Sequence, residues 1–104
     1  MVSEELNATI SQAANSALLR IGKSYQEQDL LHQALSPYLK IVAYYPESEE
    51  AAGAVDGLVT IARIFEDQGH RRMAMSVYDR LERAARLRRW DGHGHALTPE
   101  DDIL

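Results

Sequence analysis

One eight-residue phrase occurs in this chain in two versions. Ala34 to Ile41 reads ALSPYLKI and Ala74 to Leu81 reads AMSVYDRL, so Ala, Ser, Tyr and a closing aliphatic return in the same order 40 residues apart. The correspondence continues upstream, where Leu18, Ile21, Gly22 and Tyr25 stand opposite Leu58, Ile61, Ala62 and Phe65. A unit written twice constrains the fold strongly, because each copy must bury its apolar face against the other.

The periodicity inside each copy is helical. From Ser3 to Gln28 the apolar residues Leu6, Ile10, Ala14, Ala17, Leu18, Ile21 and Tyr25 follow spacings of mostly three and four, the stripe of an amphipathic helix. Ser3 suits its start, and Glu4 and Glu5 suit the positive end of its dipole. Asp29 reads as a break and a new cap. A second helix is predicted from Leu30 to Tyr45, stopped by Pro46, with Pro37 inside it and expected to bend it. Ser48 reads as the cap of a third helix, which runs to about Gln68 and ends at Gly69 in a left-handed C-terminal cap. A fourth is predicted from about His70 to Arg89. The remaining residues, 91–104, read as a flexible, irregular acidic tail, in which TPEDD suits a single short turn. No segment alternates in the manner of a strand. The expectation is an all-α domain over residues 1–90, made of two consecutive antiparallel helical hairpins.

The aligned residues resemble the tetratricopeptide repeat, whose pattern is W-x2-L-G-x2-Y, then A-x3-F, then P. Here Leu18, Ile21, Gly22, Tyr25, Ala34, Tyr38 and Pro46 carry it over about residues 15–48, and Leu58, Ile61, Ala62, Phe65, Ala74 and Tyr78 over about 55–88. The chain departs from the pattern in three places. Its repeat distance is 40 residues where the family's is about 34. Leu18 and Leu58 stand where a larger aromatic is usual, and Pro37 lies within the second helix. The stretch YPESEEAAGA is similar to repeats of bacterial envelope-assembly and cell-division coordinator proteins. The resemblance implies a right-handed superhelical arrangement with an extended first helix, small residues at close helix crossings, and a concave groove lined by the first helix of each unit.

Composition narrows the function classes. At 104 residues the chain suits one small domain. It holds no cysteine, which excludes disulfides, thiolate metal sites and thiol nucleophiles. The first ten residues have neither a basic region nor an apolar run, and no stretch suits a membrane span, so a cytoplasmic protein away from membranes is expected. The net charge of −5 is unevenly placed: residues 1–70 carry −6, residues 71–89 carry +5 with seven arginines, and the last fifteen carry −4. An arginine-rich helix between acidic segments suits neutralisation within the molecule or by a second copy. The overall acidic balance and the lack of interleaved aromatics and glycines argue against nucleic acid.

No nucleophile–base pair, phosphate loop or buried carboxylate pair stands out, so no catalysis and no cofactor are expected. The resemblance implies binding of a protein or peptide. Carrying the groove-facing places across gives Ser16, Leu19, Lys23, Gln26 and Glu27 in the first unit, and Asp56, Val59, Arg63, Glu66 and Asp67 in the second. Lys23 and Arg63 occupy equivalent places, suited to a carboxylate on the partner. Four-residue ion pairs, Lys23 with Glu27 and Arg63 with Asp67, are the simpler expectation. His93 and His95 with Asp91 present metal-binding side chains, but a Gly-rich segment gives them little orientation, and no metal is expected. Helix two carries Leu35, Tyr38, Leu39, Ile41, Val42, Tyr44 and Tyr45, and helix four adds Met73, Met75, Val77, Leu87 and Trp90. That is more apolar surface than one hairpin covers, so a homodimer is expected, with Tyr44, Tyr45, Met75 and Trp90 as its candidate contacts. A structural subunit built for such assembly is the alternative function, and a metal- or nucleic-acid-binding accessory protein a weaker one.

Overall fold

The computed structural model describes the backbone of residues 2–93 and the side chains of Leu6 and residues 9–86. It contains four helices in two antiparallel hairpins: α1 (Val2–Glu27), α2 (Leu31–Tyr44), α3 (Glu49–Asp67) and α4 (Arg71–His93). No strand occurs among the described residues. Helices α2 and α3 each pack against all three others, whereas α1 and α4 do not meet among the described residues. The fourth helix passes the expected stop at Arg89 and continues through Trp90 to His93. The TPEDD turn, the rest of the acidic tail and the side chains of Leu87 and Trp90 lie outside the described residues.

The two hairpin turns are copies of each other at the level of single hydrogen bonds. In the first, Leu30 N–H donates to Tyr25 O at 2.9 Å and Asp29 N–H to Gln26 O at 3.0 Å. In the second, His70 N–H donates to Phe65 O at 2.8 Å and Gly69 N–H to Glu66 O at 2.9 Å. This pair of bonds defines a Schellman motif, which satisfies helix carbonyls left open at the C-terminus. It requires a left-handed residue, supplied by Asp29 (φ 65°) and Gly69 (φ 85°). Gly69 thus acts as its residue type predicts. Asp29 does not cap α2: it closes α1, and the N-cap position of α2 falls on Leu30, with no side-chain bond. Ser48 occupies the N-cap of α3 in extended geometry, but its hydroxyl donates backwards to Tyr45 O at 2.7 Å and caps nothing.

The long repeat distance resides in a helix and not in a loop. Only residues 45–48 separate α2 from α3, so the added residues lengthen the start of α3. That extension carries Glu50, whose carboxylate accepts from Asn15 Nδ2 at 2.8 Å and Ser16 Oγ at 3.0 Å on α1. Asn15 is a buried polar residue of the core, and its Oδ1 has no hydrogen-bond partner among the described residues.

The core forms where small residues let helices approach. Ala34, Ala62 and Ala74 are fully buried, together with Leu58 and Ile61. Pro37 is buried inside an uninterrupted α2. The apolar residues of α2 are better covered than one hairpin allows. Leu35, Tyr38, Ile41 and Val42 are all buried, because α2 meets three helices and not one, and of the large ones only Tyr44 is strongly exposed, at 68%. Val77 of α4 is buried as well.

Tyr38 lies at the centre of this arrangement. A methyl added at Gly22 of α1 would fall 2.6 Å from Tyr38 Cε1, and one at Gly57 of α3 would fall 2.5 Å from Cε2. The ring therefore fills a slot that exists only because both flanking residues lack a Cβ. Gly53, one turn from Gly57, is different: a methyl there meets Leu19 Cδ1 at an ordinary 3.5 Å. Alanine raises helix propensity over glycine by about 1 kcal/mol, whereas overpacking a filled site costs about 1–3 kcal/mol. Gly53→Ala is expected to raise the melting temperature, and Gly22→Ala and Gly57→Ala to lower it. Ala74→Leu is expected to cost about 1–3 kcal/mol in chemical denaturation by the same overpacking.

Candidate functional site

Helices α1 and α3 lie side by side with the Tyr38 ring of α2 between them, and an open groove of about 380 Å³ runs above that ring. Lys23, Gln26 and Glu27 line it from α1, and Gly53, Asp56, Gly57 and Thr60 from α3. The two glycines bare the backbone of α3, while the far end of Tyr38 closes the floor. The phenol donates to Gln26 Oε1 at 2.6 Å, which holds the Gln26 side chain across the groove. Burial raises the Tyr38 pKa above the ordinary 10.0, and the carboxylates of Asp56 and Glu27 push it in the same direction.

Four of the groove candidates taken from the sequence, Lys23, Gln26, Glu27 and Asp56, meet in this one place. The others do not line it. Leu19 is half-buried against Gly53, and Val59 is half-buried. Arg63, Glu66 and Asp67 are exposed further along α3. Ser16 is engaged by Glu50. Lys23 and Arg63, equivalent in the repeat, do not both border the groove. The four-residue ion pairs expected of them do not form: among the described residues the ion pairs are Arg83 with Asp79 at 2.7 Å and Arg86 with Glu82 at 3.1 Å.

The groove also contains residues that residue-by-residue transfer from the repeat passed over. Gly53, Gly57 and Thr60 stand at intervals of four and three on one face of α3, a row of small residues legible in GAVDGLVT. Of the self-association candidates, Tyr44 and Met75 are exposed, at 68% and 62%. Tyr45 is half-buried, and Trp90 lies outside the described side chains. The side chains of Asp91 and His93, and all of His95, lie outside them too. Among the described residues no group of three or more His, Asp or Glu side chains is placed to hold a metal ion. No described helix is long and apolar enough to cross a membrane.

The family model of the tetratricopeptide repeat matches residues 16–48, which span the C-terminal part of α1 from Ser16, all of α2 and the turn after it. No curated protein and no solved structure matches the chain. With that match to residues 16–48 and a second hairpin that repeats the first turn bond for bond, the four helices form a tetratricopeptide-repeat-like arrangement. Repeats of this family are in general protein–protein interaction modules.

Removing the phenol tests the floor of the groove. Tyr38→Phe is expected to lose about 0.5–1.5 kcal/mol, the net worth of a neutral hydrogen bond. A raised folded-state pKa means that the stabilisation is complete below the unfolded value of 10.0 and is lost as pH rises from there through the folded value. Wild type is therefore expected to lose stability more steeply above pH 10.0 than Tyr38→Phe does. Absorbance titration at tyrosinate wavelengths is expected to show one late-ionising tyrosine that the variant lacks.

Proposed function

We propose that the chain is a non-catalytic adaptor that holds a segment of a partner protein along the α1–α3 groove. The carrying observation is the groove itself: a concave surface between the first helices of the two units, with bared glycine backbone, an aromatic floor and polar side chains on both walls. Such a surface offers both apolar contact and orienting polar groups, the usual make-up of a binding cleft. The wall charges favour two carboxylates, Glu27 and Asp56, over the single cation Lys23, so a partner segment bearing donors fits better than one presenting only a carboxylate. A cytoplasmic setting belongs to this reading.

Affinity capture followed by mass spectrometry tests it, with three baits compared. Partners are expected to be retained by wild type and by Arg72→Ala, an exposed change away from the groove. They are expected to be lost from the double variant Asp56→Lys, Thr60→Trp, which reverses one wall charge and fills the cleft. A partner held equally by all three baits would move the binding site elsewhere.

Self-association is a second reading, supported by the apolar stripe on α1. Leu6 and Ile10 are each 56% exposed there, on the same helical face as Ile21, which is 45% exposed. Burying that stripe against a second copy would remove it from water. Light scattering is expected to give a mass above the 11.7 kDa of one chain, reduced to one chain by Leu6→Lys with Ile10→Lys. A monomer at every concentration would exclude it.

A further inference from the structure

A second groove lies on the opposite side of the molecule from the α1–α3 cleft, between α2 and α4. Its volume is about 270 Å³, and Leu39, Ala43, Tyr44 and Ala84 give it apolar walls. Lys40 and Arg80 stand on its two sides, one from each helix. The two positions are 40 residues apart, the repeat distance, so the paired helices set the cations opposite each other. Neither takes part in an ion pair among the described residues, although α4 pairs its later arginines Arg83 and Arg86 within the helix. Two unpaired cations astride an apolar slot that exposes 68% of Tyr44 call for an occupant with carboxylates and aliphatic side chains together.

The chain contains one segment of that make-up beyond α4. Residues 94–104 read GHALTPEDDIL, with Glu100, Asp101 and Asp102 followed by Ile103 and Leu104, and no Lys or Arg. The reach is sufficient. From the end of α4 at His93 back to Ala84 is about 14 Å at 1.5 Å per helical residue, and eleven residues extend to about 36 Å. Tethering also gives such a segment a high effective concentration at its own groove, so weak contacts suffice. The other exposed apolar site on α4 suits it less, because Met75 is followed along its face by Asp79 and Glu82, which are already paired.

We propose that the acidic segment Glu100–Leu104 docks in its own α2–α4 groove, with its carboxylates between Lys40 and Arg80 and an aliphatic side chain against Leu39 and Tyr44. The contact covers the exposed Tyr44. It also neutralises the arginine-rich helix from within the same molecule. Because Lys40 and Arg80 are exposed charges, it weakens as salt rises.

The absence of cysteine makes a single spin label on the full chain straightforward, through Thr98→Cys. The label is expected to broaden the amide signals of residues 39–44 and 80–84 and to leave those of the α1–α3 groove sharp. Lys40→Glu with Arg80→Glu is expected to abolish that broadening. Reversing the segment as well, with Glu100→Lys, Asp101→Lys and Asp102→Lys, is expected to restore it, which a merely destabilised variant would not do. Broadening elsewhere, no broadening, or failure of the charge swap to restore it would overturn the proposal. So would transfer of the effect to an unlabelled isotope-enriched chain mixed with the labelled one, which would assign the contact to a second copy.

Discussion

The structure depends on one aromatic ring held between two glycines. Tyr38 projects from α2 into the space between α1 and α3, with one edge against Gly22 and the other against Gly57. The ring sets how near the first helices of the two units come, because close-packed interiors do not yield to accommodate extra atoms. It also joins fold to site: the buried part of the ring is core, while its hydroxyl end is the floor of the groove. In the second unit Tyr78 occupies the equivalent place, with Ala62 at the position of Gly22. No helix stands on its other side among the described residues, and it is only half-buried. The difference between the two tyrosines lies in their neighbours: glycines flank Tyr38, whereas Ala62 stands at the equivalent of Gly22 beside Tyr78.

The turns show how the same backbone device tolerates different residues. Both hairpins close with the same bonds, yet one uses glycine and the other aspartate in the left-handed position. Aspartate reaches that region at less strain than most non-glycine residues. Closing the turns identically places Ala34 and Ala74 at equivalent close crossings, each fully buried. The lengthened start of α3 adds a tie of its own, since Glu50 reaches Asn15 and Ser16 only because the extra residues are helical. This links the N-terminal part of the second unit to the first by polar contact as well as by packing.

Much of the fold was legible because it is written in local patterns. Four helices, their order, the two hairpins and the small residues at crossings follow from three- and four-residue spacing, from Pro46 and Gly69, and from the internal repeat. The misread details were those in which one residue type suits two roles. Asp29 is a good N-cap by composition, but the chain uses it to end a helix. Ser48 stands at an N-cap but turns its hydroxyl to Tyr45. The apolar residues of α2 looked excessive because the expectation counted one covering hairpin, whereas three helices cover them.

The site was legible in part, and the division has a physical cause. Helical phase alone puts Lys23, Gln26 and Glu27 on one side of α1, because that depends only on 3.6 residues per turn. Which residues of α3 stand across from them depends on the offset and spacing of two helices distant in sequence, and Tyr38 sets that spacing from a third. So Arg63, the repeat equivalent of Lys23, lies off the groove, while Asp56, Gly57 and Thr60 border it. The sequence by itself determined the elements and their amphipathic faces, since these are fixed by forces within a few residues. Only the tertiary structure decided which charges share a groove, because that is a property of how three helices close around one ring.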